Sequence, residues 1–166
     1  MLAIALLSLG IISRLITHIP NFTPIIALSL FSGVYLKRSQ AVVLPLLLLA
    51  VTDISLGFHE TMFYTYGSVL LISCIGLWLK SRKSVNHIAL TRFCSSVLFF
   101  IITNFGVWLA SGMYPMTASG LSQCFILAIP FFKTELISTV LYTAIFFGAY
   151  EWMASRIKST RFAHVL

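Results

Sequence analysis

Apolar side chains fill almost every stretch of this 166-residue chain, and this feature decides most of what it can fold into. Apolar residues make up 59% of the chain, whereas Lys, Arg, Asp and Glu together make up only 9%. A soluble domain carries roughly 25% charged residues, and disordered chains are charged and poor in apolar residues. The sequence therefore excludes disorder, argues against a soluble enzyme, and predicts an all-α integral membrane protein.

The apolar segments are separated by prolines, polar turns and basic clusters. Pro20 and Pro24 end the first segment, because proline removes a backbone donor and biases the preceding residue away from the helix. The second and third segments are shorter than the roughly 20 residues of a full crossing, and short, interrupted segments often mark a binding site. We predict one transmembrane domain, a compact bundle of six helices. The predicted helices cover 1–17, 25–36, 41–53, 62–79, 88–112 and 134–153, with a half-helix or structured loop over 117–133 that Pro130 interrupts.

The basic residues predict how the bundle is oriented. Nine of the 11 Lys and Arg residues lie near the ends of the second, fourth and sixth helices: Lys37, Arg38, Lys80, Arg82, Lys83, Arg92, Arg156, Lys158 and Arg161. Basic residues collect on the cytoplasmic side of membrane proteins. The pattern therefore predicts that both termini are cytoplasmic, and it explains the net charge of +7 without a nucleic-acid partner.

Polar and aromatic residues collect at the opposite, outer end, which is the composition of a ligand pocket. The predicted polar contacts to a ligand are His18, Asn21, Thr23, Asp53, His59, Tyr66 and Asn104. The predicted aromatic walls are Phe22, Tyr64, Trp108 and Tyr114.

Several of these residues also have structural interpretations. A carboxylate such as Asp53 at the membrane is costly unless it is paired, hydrated or capping a helix, so it either contacts ligand, pairs with His18 or His59, or caps its helix. Asn104 shares a helix face with Trp108, and it either binds ligand or bridges helices. His18, His59 and Glu60 could form a metal site with Asp53, but their spacing fits no metal motif, so no metal site is predicted.

The cysteines indicate neither a disulfide framework nor a zinc site, because no CxxC pair is present. Cys74 and Cys124 are weak candidates for ligating cobalt, and packing is the alternative for Cys74. No catalytic triad, GxSxG or phosphate-binding glycine loop is found, so we predict no enzyme activity and no prosthetic group.

Two pairs of small residues, each spaced four apart, predict close contacts between helices. Ser29 and Gly33 form one pair, and Ala144 and Gly148 form the other. Small side chains let helices approach closely, either inside the bundle or against a partner subunit.

The strings HIPNFTPIIALSLFSG and TDISLGFH, followed by YGS, NFGVW, YP and AIPFF, resemble a family of small bacterial membrane proteins assigned to transport. That family in turn resembles the substrate-binding S components of energy-coupling-factor (ECF) vitamin transporters, with the solitary cobalamin-specific S component as the nearest analogy. The resemblance implies an S-component-like bundle in the bacterial inner membrane with an outward pocket for a vitamin-like ligand. The AxxxA signature by which many S components dock their coupling subunit is absent from the first helix.

Together these observations predict a membrane-embedded substrate-binding or transport protein that captures a small organic nutrient, which would be a vitamin or a cobalamin-type ligand. Its partners would be the lipid bilayer, the small-molecule substrate and an ECF energising module. The alternatives are a structural subunit of a larger membrane complex, an intramembrane enzyme that uses Asp53, His18 and His59, and a metal-ion transporter.

Overall fold

The computed structural model describes residues 2–81 and 84–157, and within them the chain forms six helices and no strand. The helices are α1 (Leu2–Ile16), α2 (Ile25–Tyr35), α3 (Arg38–Leu56), α4 (Met62–Leu79), α5 (Val85–Ala110) and α6 (Ala118–Ile157). The all-α prediction is confirmed for this part of the chain. Four helices, α3 to α6, are long and apolar enough to cross a membrane. Of the basic residues used to predict orientation, Arg82, Lys83, Lys158 and Arg161 lie outside the described residues.

An elbow over residues 17–24 separates α1 from α2, as its two prolines predict. Asn21 takes the left-handed backbone conformation with φ of 59°, which asparagine tolerates better than most residues. The backbone N–H of Phe22 closes a turn onto the carbonyl of Ile19 at 3.1 Å. The hydroxyl of Ser138 on α6 donates to the carbonyl of Thr23 at 3.2 Å, so the elbow is attached to the far side of the bundle.

Helix α2 is the centre of the bundle, and the other five helices all contact it. Ten of its 11 residues are buried, because the helix carries only apolar and small hydroxyl side chains around its whole circumference. The hydroxyls of Ser29 and Ser32 donate to backbone carbonyls, including that of Ala41 on α3 at 3.1 Å. The helix is only about 16 Å long, so the prediction of a short second segment is confirmed.

Helix α3 is longer than predicted, so its description as a short segment over 41–53 was wrong. It begins at Arg38 and runs for 19 residues. The exposed polar residues that precede the apolar run therefore belong to the helix. Pro45 therefore lies inside the helix. Asp53 does not end the helix, since its carboxylate is paired within the bundle, and α3 stops only before Gly57, whose φ is 94°.

Helix α6 is continuous over 40 residues, which corrects the predicted division into 117–133 and 134–153. Proline costs about 3 kcal/mol inside a helix, but packing on both sides of Pro130 holds α6 together. The ring of Phe100 on α5 contacts Phe125 before the proline and Phe132 after it, with centroids 5.5 and 4.6 Å apart. At about 1.5 Å per residue, α6 is about 60 Å long.

The connections between the helices lie at two opposite ends of the bundle. Residues from the elbow, the α3–α4 connection and the α5–α6 connection line one cavity, and we call this the elbow end. At the other end, Lys80 donates to the carbonyl of Leu36 at 3.2 Å and the Tyr35 hydroxyl donates to Glu151. We call this the basic end. The aromatic rings of α2 and α6 interlock here, with the centroids of Tyr35 and Tyr150 4.1 Å apart.

Candidate functional site

A cavity of about 470 Å³ lies at the elbow end, between the elbow, the start of α4 and the facing parts of α5 and α6. This volume falls within the range of pockets that hold small organic ligands. Its polar lining consists of Arg14, Asn21, Thr23, His59, Thr61, Thr65, Thr103, Asn104, Tyr114, Cys124 and Glu135. Its apolar lining consists of Pro20, Ile25, Ile26, Phe99, Val107, Met113, Leu127, Ala128 and Phe131.

Arg14 and Asp53 form a buried ion pair at one wall. A guanidinium nitrogen of Arg14 lies 2.8 Å from Oδ1 of Asp53, and the two side chains are 13% and 1% exposed. The Tyr66 hydroxyl donates to Oδ2 of Asp53 at 2.9 Å, and Arg14 also donates to the hydroxyl of Thr52. Asp53 is therefore satisfied on both oxygens, and Arg14 is the member of the pair that reaches the cavity.

Glu135 on α6 is the second buried carboxylate, and its side chain is only 4% exposed. Its Oε1 accepts hydrogen bonds from Ser96 at 2.9 Å and from Thr139 at 2.8 Å. Its Oε2 is buried with no hydrogen-bond partner among the residues that the structure describes. Buried polar atoms are satisfied in the great majority of cases, so an unpartnered carboxylate oxygen at a cavity wall is the feature that points most directly to a ligand.

Six of the predicted site residues line this cavity: Asn21, Thr23, His59, Asn104, Tyr114 and Cys124. Asn104 also donates its side-chain N–H to the carbonyl of Phe100 at 2.8 Å, one turn earlier on α5. Cys124 donates its thiol to the backbone carbonyl of Asn104 at 3.4 Å. The contact of Cys124 with Asn104 joins α5 to α6 directly beside the cavity.

The structure places three aromatic candidates in packing roles outside the lining. Phe22 contacts the ring of Tyr142 with centroids 5.9 Å apart. Tyr64 packs against Gly106, where an added Cβ would stand 2.3 Å from the tyrosine ring. The indole Nε1 of Trp108 donates to the carbonyl of Pro115 at 3.0 Å, so this tryptophan fixes the α5–α6 connection.

The remaining candidates also lie outside the lining. Asp53 and Tyr66 stand behind Arg14 and contact it or each other. The suggested pairing of Asp53 with His18 or His59 is corrected, because Arg14 occupies that position and His18 is exposed. Cys74 is exposed on α4, away from the cavity that Cys124 lines, so the two cysteines do not share a site.

Arg14 and Glu135 were not predicted as site residues, although a signal was present for both. An ionisable residue within an apolar segment is by itself a sign of a functional site. The other threonines that line the cavity gave no comparable signal: Thr61 directly before α4, Thr65 in α4 and Thr103 in α5. Threonine is common in helices, where its hydroxyl bonds to its own backbone, as Thr103 does to Phe99 at 2.7 Å.

The fold and the cavity thus define a class: an apolar helical bundle with a polar, ligand-sized cavity at one end. The family model that matches residues 1–161 is described as a family of unknown function, DUF6580, and the chain belongs to that family. No curated protein and no solved structure matches the chain. Within residues 2–81 and 84–157, no group of three or more His, Cys, Asp or Glu residues is arranged to hold a metal ion.

Proposed function

We propose that this chain is a membrane-embedded binding protein that captures a small organic nutrient in the cavity at its elbow end. The observation that carries the proposal is the cavity itself, with Arg14 at one wall and the unpartnered Oε2 of Glu135 at another. Pockets for small molecules combine apolar walls with a few polar groups that fix orientation. That description fits this lining.

Large apolar side chains on the outside of the bundle support membrane embedding. Phe63 and Val85 are 79% and 81% exposed, and Ile4 is 70% exposed. Soluble monomers rarely expose contiguous apolar patches of more than a few hundred Å². A bilayer would cover these side chains, and we propose the bacterial inner membrane as the location.

The cavity volume favours a compact nutrient over one as large as cobalamin. At about 470 Å³ it lies in the lower half of the range for ligand pockets. We therefore keep an S-component-like capture role as the proposal and replace the cobalamin-type ligand with a smaller one. An enzyme built on Asp53, His18 and His59 is disfavoured, because Asp53 is tied to Arg14 and His18 is exposed.

The purified protein is expected to retain a small molecule in this cavity, which mass spectrometry of the extracted protein would detect. The change Ala128→Phe places a ring in the cavity wall and should lower the retained amount at least about tenfold, the equivalent of 1.4 kcal/mol of affinity. The matched control is Ala144→Phe, which makes the same change at an exposed position of α6 and should leave retention unchanged.

Two results would count against the capture role. Retention that is equally strong in both phenylalanine variants would place the molecule outside the cavity. Stable partner proteins on gentle purification, together with no retained molecule, would favour a structural subunit of a larger membrane complex.

The elbow end is expected to face the cell exterior, because the basic residues mark the opposite end as cytoplasmic. The test uses a variant with all three native cysteines replaced by serine. A membrane-impermeant maleimide should label Glu60→Cys in intact cells and should not label Ser39→Cys until the cells are opened. Both positions are exposed, so accessibility of the side chain itself does not differ. The reverse labelling pattern would overturn the orientation.

A further inference from the structure

The charged side chains in the cavity lining and directly behind it do not balance. Arg14 and Asp53 form an ion pair at 2.8 Å, so their formal charges cancel. Glu135 is the only carboxylate among the described lining residues, and Arg14 is the only Lys or Arg side chain among them. Because Arg14 pairs with Asp53 behind the lining, Glu135 is left without a cationic partner. Lys133 is close in sequence but is exposed and does not line the cavity.

The surroundings of Glu135 supply hydrogen-bond donors to only one of its two carboxylate oxygens. Ser96 and Thr139 both donate to Oε1, so they hold the carboxylate in a fixed orientation. Oε2 has no partner, and the residue lines the cavity. An ionised carboxylate buried without a partner is costly, and a donor that carries positive charge offsets that cost best.

The apolar walls of the cavity indicate the chemistry of the rest of the ligand. Ile26, Phe99, Val107, Leu127 and Phe131 supply aliphatic and aromatic surface. Such walls bury an apolar or flat aromatic body. A small hydrophilic cation surrounded by its own hydration shell would leave this surface in contact with water.

We infer that the cavity takes a small organic monocation, in which an N–H group of ammonium or amidinium type donates to Oε2 of Glu135 and an apolar or aromatic body packs on the facing walls. This inference rests on the proposed function and names its substrate class. Arg14 stays with Asp53 and lines the same cavity, where its guanidinium can contact a polar substituent of the ligand.

The test compares four probes that share a benzene ring: benzamidine, benzamide, benzyltrimethylammonium and benzoate. Binding to the full chain in detergent, after dialysis to remove retained molecules, is measured by calorimetry. Benzamidine should bind at least about tenfold more tightly than benzamide, since hydrogen bonds to charged groups are the stronger ones. Benzyltrimethylammonium, a cation without N–H, should bind more weakly than benzamidine, and benzoate should bind most weakly.

The variant Glu135→Gln keeps the shape of the side chain and removes its charge. It should weaken benzamidine binding by about tenfold to a hundredfold and change benzamide binding by much less. The matched control is Glu151→Gln at the basic end, which accepts from Tyr35 and does not line the cavity. Partition of the probes into detergent is the same for every variant, so the comparison cancels it.

Each outcome decides the inference. Equal affinity of the unmodified protein for benzamidine and benzamide would overturn it, because a carboxyl that simply holds a proton does not select for charge. Tighter binding of benzoate would also overturn it. If any of these probes binds and Ala128→Phe abolishes that binding, the capture role survives even where the charge preference fails. If no probe binds and the purified protein retains no molecule, both the inference and the capture role fall.

Discussion

Replacing Arg14 by methionine should destabilise the protein by about 3–5 kcal/mol, the cost of leaving one member of a buried ion pair without its partner. Asp53 is 1% exposed, so water cannot replace the lost guanidinium. The Tyr66 hydroxyl would still donate to Oδ2, but Oδ1 would have no donor. The free energy of unfolding in detergent, or the midpoint of thermal unfolding, measures this effect.

The double change Arg14→Met and Asp53→Asn separates the ion pair from the packing of the arginine stem. Asparagine removes the buried charge and keeps an acceptor for Tyr66, so the double variant should regain at least half of the stability that Arg14→Met loses. Lys133→Met is the matched control. It removes an exposed cation, for which about 0–1 kcal/mol is expected. A double variant as unstable as the single one would show that the buried charge of Asp53 is not the cause.

Local chemistry explains the parts of the fold that could be predicted from the sequence. The elbow follows from Pro20 and Pro24, which act on their own backbone and on the preceding residue. The bounds of α4 were predicted as the structure has them, because a polar segment precedes this helix and a basic cluster follows it. The central position of α2 was not predicted, although its lack of any polar face is consistent with it.

Contacts between distant parts of the chain explain the errors. Asp53 looked like a helix end, and α3 continues past it because Arg14, 39 residues earlier, neutralises its charge. Pro130 looked like a break, and α6 continues through it because Phe100 packs on both sides. The hydrophobic periodicity and the helix propensity of a sequence contain no information about such distant partners.

The candidate site was predicted mainly where it depends on the connections, and its two ionisable helical residues, Arg14 and Glu135, were missed. Asn21, His59 and Tyr114 were predicted because loop residues at one end of a bundle necessarily lie near one another. Glu135 was not predicted, because its role depends on Ser96 of α5, a partner 39 residues away. The charge balance of the cavity became visible only when the partners of both buried carboxylates were known.

Gly33→Ala should cost about 3 kcal/mol or more, at the upper end of the range for overpacking a core. A Cβ on Gly33 would stand 2.4 Å from the backbone carbon of Gly76 and 2.6 Å from its Cα. Backbone atoms of a packed helix cannot turn aside as a side chain can, so α2 and α4 would have to separate. Since α2 contacts all five other helices, that movement would disturb the packing of the whole bundle.

The matched control is Gly148→Ala on α6, taken from the second pair of small residues. A Cβ there meets nothing within 4 Å, and alanine is favoured over glycine inside a helix by roughly 0.5–1 kcal/mol. The two alanine substitutions should therefore shift the unfolding free energy in opposite directions. Gly76→Ala should be destabilising but less so than Gly33→Ala, because its Cβ would meet the carbonyl oxygen of Leu30 at 2.9 Å. Equal effects at Gly33 and Gly148 would mean that the contact between α2 and α4 is looser than this geometry requires.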